Sequence, residues 1–285
     1  MGRIIRLGVI QAGFGEDMKA NIAKIDRLVR AAAKDGANII LTPELFQGPY
    51  FCKTEETRHF ATAYPYKDHP VVQKLAPLAS ELGVALPLSI FEREGQEYYN
   101  SLVMVDADGS LAGVYRKSHI PDGPGYEEKF YFRPGDTGFK VWDTRFGRLG
   151  VGVCWDQWFP EAARAMMLMG AELLLYPTAI GSEPENASLD TQARWRRAMI
   201  GHAVSNVVPV AAANRIGDEA GQIFYGSSFV TDDGGELLVD MSRTEEGFEC
   251  VNLDLEEIAE QRAGWGFFRD RRPELYGPLT GKKPG

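Results

Sequence analysis

The sequence predicts an α/β protein built as a four-layer α-β-β-α sandwich with an internal pseudo-two-fold. The first observation is a strand–helix–strand unit at the start of the chain. Residues 4–11 have the pattern of a buried strand, residues 17–35 carry apolar side chains at helical spacing, and residues 38–42 form a second apolar run. A helix between two such strands places them parallel in one sheet, and Gly36 marks the end of the helix.

The second observation is that three stretches of the first half return in the same order in the second half. This repeat predicts that a strand–helix–strand–hairpin module is present twice. Each module has helices on one face of its sheet, and stacking the two bare faces buries both of them, which gives four layers. The paired stretches are RLGVIQ (6–11) with RLGVGV (148–153), GANIILTPELF (36–46) with GAELLLYPTAI (170–180), and YNSLVMVDADGSLAG (99–113) with YGSSFVTDDGGELLV (225–239).

The remaining elements complete the two modules in chain order. Asp108-Gly109 and Gly234-Gly235 each lie between apolar runs and predict two β-hairpins. No Pro- or Ser-rich linker interrupts residues 1–262, so we predict one domain, followed at 263–285 by a tail packed on the domain or on a neighbouring subunit. The other predicted elements are helices at 70–82, 159–169 and 190–205 and strands at 84–91, 147–154, 171–176 and 207–212.

Composition narrows the classes of function. The 285 residues carry a net charge of −9, which argues against nucleic acid or an anionic membrane as a partner. No apolar run has the length of a signal peptide or a membrane span, and the three cysteines form no disulfide framework, so we expect a cytoplasmic protein. The four histidines lack metal-ligand spacing and no Gly cluster resembles a phosphate loop, so we expect no metal and no cofactor.

Reactive side chains follow three of the predicted strands. Glu44 comes after the second strand, Lys117 after the first hairpin, and Cys154 after the first strand of the second module. Ligands gather beyond the carboxyl ends of strands in such sheets, so the three side chains are expected on one rim. A thiol must lose its proton to attack, a carboxylate can accept that proton, and an ammonium stabilises the resulting anions. The backbone N–H of Trp155 is placed to help Lys117 hold an oxyanion.

Each of these residues also has an ordinary structural interpretation. A cysteine after a Val-rich strand is commonly a small buried apolar residue, Glu44 fits a turn cap, and Lys117 fits a solvated charge. Their common placement on one rim, with Glu44 and Cys154 in the two copies of the repeat, favours a catalytic trio.

The segments around the three residues resemble the signature motifs of the nitrilase superfamily, the carbon–nitrogen hydrolases. They are TPELF around Glu44, YRKSHIP around Lys117 and GVCWDQWFPEAAR around Cys154, in matching order and spacing over essentially the whole chain. The resemblance implies a Glu–Lys–Cys triad, an α-β-β-α sandwich and homo-oligomers. It also implies a second glutamate in the segment GYEEKFYFRPGD, which is Glu128 in this sequence.

Further segments, including ELFQGPYFC, IPDGPGYEEKFYF and WGFFRDRRPELY, resemble the branch of the superfamily that hydrolyses N-carbamoylputrescine. The resemblance implies a small cationic ureido substrate and a cysteine thioester intermediate, with putrescine, ammonia and carbon dioxide as products. A terminal ammonium needs an anionic counterpart, for which Asp122 and Glu183 are best placed, while Tyr126 and Trp155 are candidates to line an apolar pocket. Solvated loop charges and core aromatic residues remain the structural alternatives. We expect His119 to organise its neighbours by hydrogen bonding.

Three other functions stay open. The same machinery can act on another linear amide or on an N-carbamoyl amino acid, which requires Arg or Lys at the far end of the pocket. A non-enzymatic interaction protein keeps the sandwich but lacks turnover. A redox-sensing role for Cys154 requires a resolving cysteine, and none lies nearby in the sequence. Cys52 and Cys250 lie away from the rim positions and are expected to be dispensable for turnover.

Overall fold

The computed structural model describes residues 2–186 and 188–281. Within them the strands alternate with helices in each half of the chain. The strands are β1 Ile4–Gln11, β2 Ile39–Leu41, β3 Leu86–Glu94, β4 Glu97–Val105, β5 Leu111–Arg116, β6 Val141–Thr144, β7 Gly147–Val151, β8 Leu173–Pro177, β9 Val210–Ala213, β10 Ile216–Glu219, β11 Gln222–Tyr225, β12 Phe229–Thr231, β13 Leu237–Asp240 and β14 Gly247–Asp254. The α-helices are α1 Met18–Lys34, α2 Pro70–Leu82, α3 Glu128–Tyr131, α4 Pro160–Leu168, α5 Gln192–Asn206 and α6 Leu255–Trp265.

The strands form two sheets that share the same order of repeated strands. In the first sheet the order is β14-β1-β2 and β3-β4-β5, and a parallel bridge from Ile39 to Ala85 joins the two groups. Its edge strand β14 comes from the end of the second half of the chain. In the second half the order is β13-β12-β9-β8-β7-β6. Strands β1, β2 and the β4–β5 hairpin therefore correspond to β7, β8 and the β12–β13 hairpin, which are the three repeated stretches. The predicted fold with its internal pseudo-two-fold is confirmed.

The direction of the side chains in the central strands shows why four layers form. In β2, Ile39 and Leu41 pack in the core between the two sheets, while Ile40 packs against α1 and α2 on the outer face. In β8, Leu175 faces the core between the sheets and Leu174 packs against α4 and α5. Successive residues of a strand point to opposite faces, so both faces of each sheet are buried and the sequence of these strands is continuously apolar.

Three local features differ from the sequence prediction. The segment before Gly234-Gly235 is not one strand, because Gly226 and Ser227 have φ values of 54° and 57° and separate β11 from β12. Strand β14 pairs along the whole of β1 but was not predicted, because it is an edge strand with mostly half-exposed side chains and weak alternation. Helix α6 runs to Trp265 and so includes the first three residues of the expected tail.

The tail after α6 returns over the second half of the chain. Gly266 ends α6 with a φ of 72°, a conformation that glycine adopts without steric cost. The ring of Phe268 then packs beneath the guanidinium of Arg164 on α4, at 4.7 Å. Residues 282–285 of the expected tail lie outside the described residues. None of the described helices is both long and apolar enough to cross a membrane.

Candidate active site

Glu44 lies in a sharp turn at the carboxyl end of β2 and is fully buried. Its backbone N–H donates to the carbonyl of Thr178, 3.3 Å away, beyond the end of the corresponding strand β8 in the other half. Leu45 follows in the left-handed region with a φ of 47°, and its N–H donates to Ser89 Oγ at 3.0 Å. The turn is therefore hydrogen-bonded to residues of both sheets, and Glu44 lies between the two halves of the chain.

Lys117 follows β5 and is also fully buried. Its Nζ donates to Glu44 Oε1 at 2.9 Å and to both carboxylate oxygens of Glu128 at 2.9 and 2.7 Å. Burial alone would lower the pKa of Lys117, but the facing carboxylates Glu128 and Glu44 outweigh it and hold the pKa well above the usual value. The group therefore stays an ammonium across the physiological pH range.

Glu128 begins the short helix α3 and has no exposed surface. Besides Lys117, it accepts a hydrogen bond from the hydroxyl of Tyr50 at 2.6 Å. Asn100, in the middle of β4, donates through Nδ2 to Glu44 Oε1 at 2.7 Å and more weakly to Glu128 Oε2 at 3.5 Å. Burial raises the pKa of Glu128, Lys117 opposes that rise, and Glu44 adds to it. Two carboxylates thus share one ammonium and one amide.

Cys154 begins a short 3₁₀ helix, Cys154–Trp158, at the carboxyl end of β7. Its φ is 42°, a left-handed conformation that costs a non-glycine residue about 1–3 kcal/mol and is typical of functional sites. The Sγ lies 3.6 Å from the carbonyl oxygen of Ala179. Burial raises the pKa of the Cys154 thiol well above its usual value, Glu44 raises it further, and Lys117 opposes the rise. The thiol is therefore protonated at neutral pH and needs a base.

Asp156 fastens the cysteine turn to the segment that carries Lys117. Its carboxylate accepts from the N–H of Val153 at 2.9 Å and from the hydroxyl of Tyr115 at 2.7 Å. It also accepts from the N–H of His119 at 3.0 Å, and the His119 Nδ1 lies 2.8 Å from the same oxygen. The imidazole stacks on Phe159 with ring centroids 3.7 Å apart. His119 therefore organises its neighbours, as the sequence predicted.

A cavity of about 430 Å³ opens beside these groups. Cys154, Glu128 and Trp155 line it, together with all three residues that sequence analysis assigned to the substrate. Aromatic and aliphatic side chains make up much of the remaining wall, as is usual for a small-molecule site. The wall also includes Asp122, Tyr126, Trp158, Ile180, Glu183, Leu189 and Arg194.

The three side chains that sequence analysis assigned to the substrate differ in how many other contacts they make. The hydroxyl of Tyr126 accepts from Gly181 N and Gln222 Nε2, at 3.0 and 2.9 Å, so it fixes the neighbouring loop and leaves its ring to the cavity. Burial raises the pKa of Glu183, and nearby Arg194 opposes that rise. The side chain of Asp122 is half exposed, with Lys129 Nζ at 3.9 Å.

Sequence reasoning missed several residues of the site. Tyr50 lies six residues after Glu44 and Asn100 lies in the first hairpin, but no local pattern of the sequence places either side chain beside the carboxylates. Cys52, expected away from the site, is wholly buried and its pKa is raised by burial and by Glu128. Arg194, which is exposed near the start of α5, also lines the cavity. Among the described residues no group of His, Cys, Asp and Glu side chains is placed to hold a metal ion.

Comparison with known proteins defines the class to which this fold and site belong. Residues 6–263 match the family model described as carbon-nitrogen hydrolase. A mutant of the amidase from Nesterenkonia sp., which shows covalent addition of the acetamide moiety of fluoroacetamide at its active-site cysteine, superimposes with a TM-score of 0.80 at 28% identity, covering 95% of each chain. The chain belongs to the carbon–nitrogen hydrolase family, which is also called the nitrilase superfamily, and it is a cysteine-dependent enzyme.

Within this family the chain is about half identical to relatives with two different names. It is 52% identical over 282 residues to the N-carbamoylputrescine amidase of Arabidopsis thaliana, covering 96% of this chain and 94% of that protein. It is 50% identical over 282 residues to the citrullinase of Francisella tularensis, covering 98% of this chain and 99% of that protein. The chain is thus an N-carbamoylputrescine amidase-like carbon–nitrogen hydrolase.

Proposed function

We propose that the enzyme hydrolyses N-carbamoylputrescine to putrescine, ammonia and carbon dioxide, a reaction of polyamine biosynthesis. The observation that carries the proposal is a cavity whose wall includes Cys154 together with the carboxylates Asp122 and Glu183. The ureido group reacts at the thiol, and the terminal ammonium of the substrate binds the carboxylates. Tyr126 and Trp155 line the cavity between these polar groups, where they contact the four methylene groups.

Glu44 acts as the general base in this proposal. Lys117 and Asn100 both bind Oε1 of Glu44, and its Oε2 has no hydrogen-bond partner among the described residues although it is buried. An unpaired buried acceptor is costly, so Oε2 is prepared to receive a proton. It takes the proton of the Cys154 thiol as Sγ attacks the ureido carbon. The negative charge that develops on the carbonyl oxygen is held by Lys117 and by the backbone N–H of Trp155.

The second half of the reaction uses the same residues. The tetrahedral intermediate collapses as Glu44 returns the proton to the departing nitrogen, which leaves a carbonyl carbon bonded to Sγ of Cys154. Water then attacks that carbon and gives its proton to Glu44. The Sγ–carbon bond breaks as Glu44 passes this proton to Sγ, which restores the thiol and the carboxylate and releases a carbamate that yields carbon dioxide and amine. Glu128 binds Lys117 and Asn100 binds Glu44, so both side chains keep their positions through both half-reactions.

The proposal is tested by measuring ammonia release from N-carbamoylputrescine and from pentylurea, in which a methyl group replaces the ammonium. We expect kcat/KM to be far higher for the charged substrate, because the carboxylates of the wall contribute only to its binding. Equal values for the two compounds would remove the support for a cationic substrate, while leaving the enzyme a hydrolase of ureido or amide groups.

Neutral variants of the wall carboxylates are expected to change this selectivity. A charge-assisted hydrogen bond contributes about 1.5–3 kcal/mol, so Glu183→Gln should lower kcat/KM for N-carbamoylputrescine by roughly 10- to 150-fold and leave pentylurea almost unchanged. Asp122→Asn should have a smaller effect in the same direction, because that side chain is half exposed and its charge is screened by solvent. Steady-state kinetics on both substrates measures the difference.

Glu185→Gln provides the matched control for these variants, since Glu185 is exposed on the same loop and does not line the cavity. It should leave both substrates unaffected. A parallel loss on the charged and the uncharged substrate in Glu183→Gln would mean that Glu183 supports the loop rather than the ammonium.

A second candidate substrate is citrulline, a ureido compound whose far end carries both an ammonium and a carboxylate. Arg194 favours it, because this cation lines the cavity close to Glu183. A guanidinium binds a carboxylate through two parallel hydrogen bonds, and Glu183 remains available for the ammonium. One of the two ureido hydrolases to which the chain is similar is a citrullinase.

Arg194→Gln separates the two candidates. If citrulline is a substrate, this change should lower its kcat/KM at least about tenfold and leave N-carbamoylputrescine unchanged or slightly improved, because the lost bond serves only a carboxylate. Arg197→Gln, on the exposed surface of the same helix, is the control. Equal losses on both substrates in Arg194→Gln would show that Arg194 has a structural role.

A further inference from the structure

Arg215 reaches from the second half of the chain into the turn that carries Glu44. It lies between β9 and β10 and has no exposed surface. Its Nη1 donates to the carbonyl oxygens of Glu44 and Leu45 at 3.1 and 3.2 Å, and its Nη2 donates to the carbonyl of Gly48 at 2.7 Å. One side chain thus binds three carbonyls within five residues of the turn.

The charge of Arg215 is balanced within the fold. Nε and Nη2 donate to Glu219 Oε1 at 3.0 and 2.7 Å. The rings of Phe14 and Phe224 lie against the guanidinium, with centroids 4.9 and 5.5 Å from its central carbon. All three nitrogens of the guanidinium therefore have acceptors, and the group is shielded from solvent. It has no donor free to bind a substrate.

The same ion pair fixes the far end of the loop. The second carboxylate oxygen of Glu219 accepts from the backbone N–H of Tyr50. Tyr50 in turn donates its hydroxyl to Glu128 at 2.6 Å. The pair formed by Arg215 and Glu219 therefore binds the backbone at residues 44–48 and at residue 50, and both carboxylates around Lys117 depend on this loop.

The conformation of the turn explains why such a support is needed. Leu45 has a φ of 47°, which an L-residue adopts only where the surrounding structure imposes it. Without partners for its carbonyls, the turn would relax and carry the Glu44 carboxylate with it. The rigid fork of a guanidinium can bind several carbonyls at fixed angles, which an ammonium cannot.

We propose that Arg215, supported by Glu219, is a positioning residue that holds the Glu44 carboxylate in line with the Cys154 thiol. The inference rests on the proposed role of Glu44 as the base, but not on the identity of the substrate. It assigns a task in the reaction to a side chain that touches neither the substrate nor the reacting atoms.

The test compares Arg215→Met with the double variant Arg215→Met/Glu219→Gln. The single variant leaves the Glu219 charge buried without a partner, so both its melting temperature and its kcat should fall. The double variant removes that charge, while the oxygen of the new amide can still accept from the backbone N–H of Tyr50, so its melting temperature should recover. Its kcat should stay about 100-fold below that of the native enzyme, with KM within about threefold, because the base is misplaced while the cavity is intact.

Two further measurements distinguish positioning from general support. Iodoacetamide should still alkylate Cys154 in the double variant, since the thiol and its cavity are unchanged. Arg215→Lys, which retains the charge but loses the fork, should lower kcat about tenfold or more at nearly constant KM. The control pair is Arg196→Met/Asp240→Asn, which removes an ion pair between α5 and β13 and should leave kcat unchanged.

A double variant whose kcat recovers together with its melting temperature would overturn the proposal, and so would native kcat in Arg215→Lys. The kinetics should use whichever ureido substrate gives the fastest ammonia release. A failure of N-carbamoylputrescine as substrate then leaves this test intact, and a failure of the positioning role leaves the substrate assignment intact.

Discussion

Cys154→Ala is expected to abolish ammonia release while the protein remains folded. Loss of the nucleophile in an enzyme of this kind lowers kcat on the order of 10⁶-fold, because the covalent intermediate can no longer form. The change removes one sulfur atom from the wall of an existing cavity, so the melting temperature should change by only a few degrees. Ammonia release with excess substrate, read together with a thermal melt, measures both effects.

The matched control for this variant is Cys250→Ala. Cys250 lies on the edge strand β14, opposite Gly8 of β1, and away from the cavity. Its loss should leave kcat and KM unchanged. Cys52 is not a suitable control, because its carbonyl accepts the N–H of Glu127 and its thiol is buried near Glu128. If Cys154→Ala kept more than a few per cent of native turnover, another group would have to be the nucleophile.

The three central residues of the site could be found from the sequence because they follow from local rules. Each comes directly after a strand whose apolar pattern is clear, and the repeat places Glu44 in one copy of the module and Cys154 in the other. The carboxyl ends of parallel strands meet at one edge of a sheet, which predicts that Glu44 and Lys117 lie close together. Cys154 follows β7 of the other sheet and comes near them because the two sheets stack. The structure brings Lys117 within 2.9 Å of Glu44, as this reasoning requires.

The supports of the site could not be found in this way. Asn100, Tyr50 and Arg215 reach the site through pairings between segments that are far apart in sequence, and each type of side chain is common in ordinary strands and loops. The fold decides that Arg215 of one half meets the Glu44 turn of the other. Such contacts depend on how the two sheets stack, and short sequence patterns do not predict that stacking.

The raised pKa of the Cys154 thiol predicts that Glu44 is also essential for turnover. Some cysteine enzymes lower the pKa of the thiol and keep a preformed thiolate. Here burial, followed by Glu44, raises the pKa of Cys154, and Lys117 only opposes that rise. Attack at neutral pH must therefore be accompanied by proton transfer. Among the described residues, Oε2 of Glu44 and Oδ1 of Asn100 are buried acceptors of this cluster without a hydrogen-bond partner, and of the two only the carboxylate oxygen is basic enough to take the proton.

Glu44→Gln is accordingly expected to lower kcat by about 100- to 10,000-fold, the range for loss of a general base, with KM within about threefold. The amide has the shape of the carboxylate and can still accept from Lys117 and Asn100, so substrate binding should persist. Alkylation of Cys154 should behave differently. Removing the Glu44 charge takes away the second cause of the raised thiol pKa, so the pH midpoint of iodoacetamide alkylation should move to lower pH than in the native enzyme.

A lower kcat together with easier alkylation of Cys154 would show that Glu44 transfers a proton and does not act only through its negative charge. If Glu44 only set the electrostatic field around Cys154, its removal would make the thiolate easier to form, and turnover would rise along with alkylation. If Glu44 carries the proton, turnover falls although the thiol becomes more reactive. Glu56→Gln, which changes a half-exposed side chain outside the cavity, should alter neither measurement. Native kcat with a raised KM in Glu44→Gln would assign Glu44 to binding and leave Cys154 without a base.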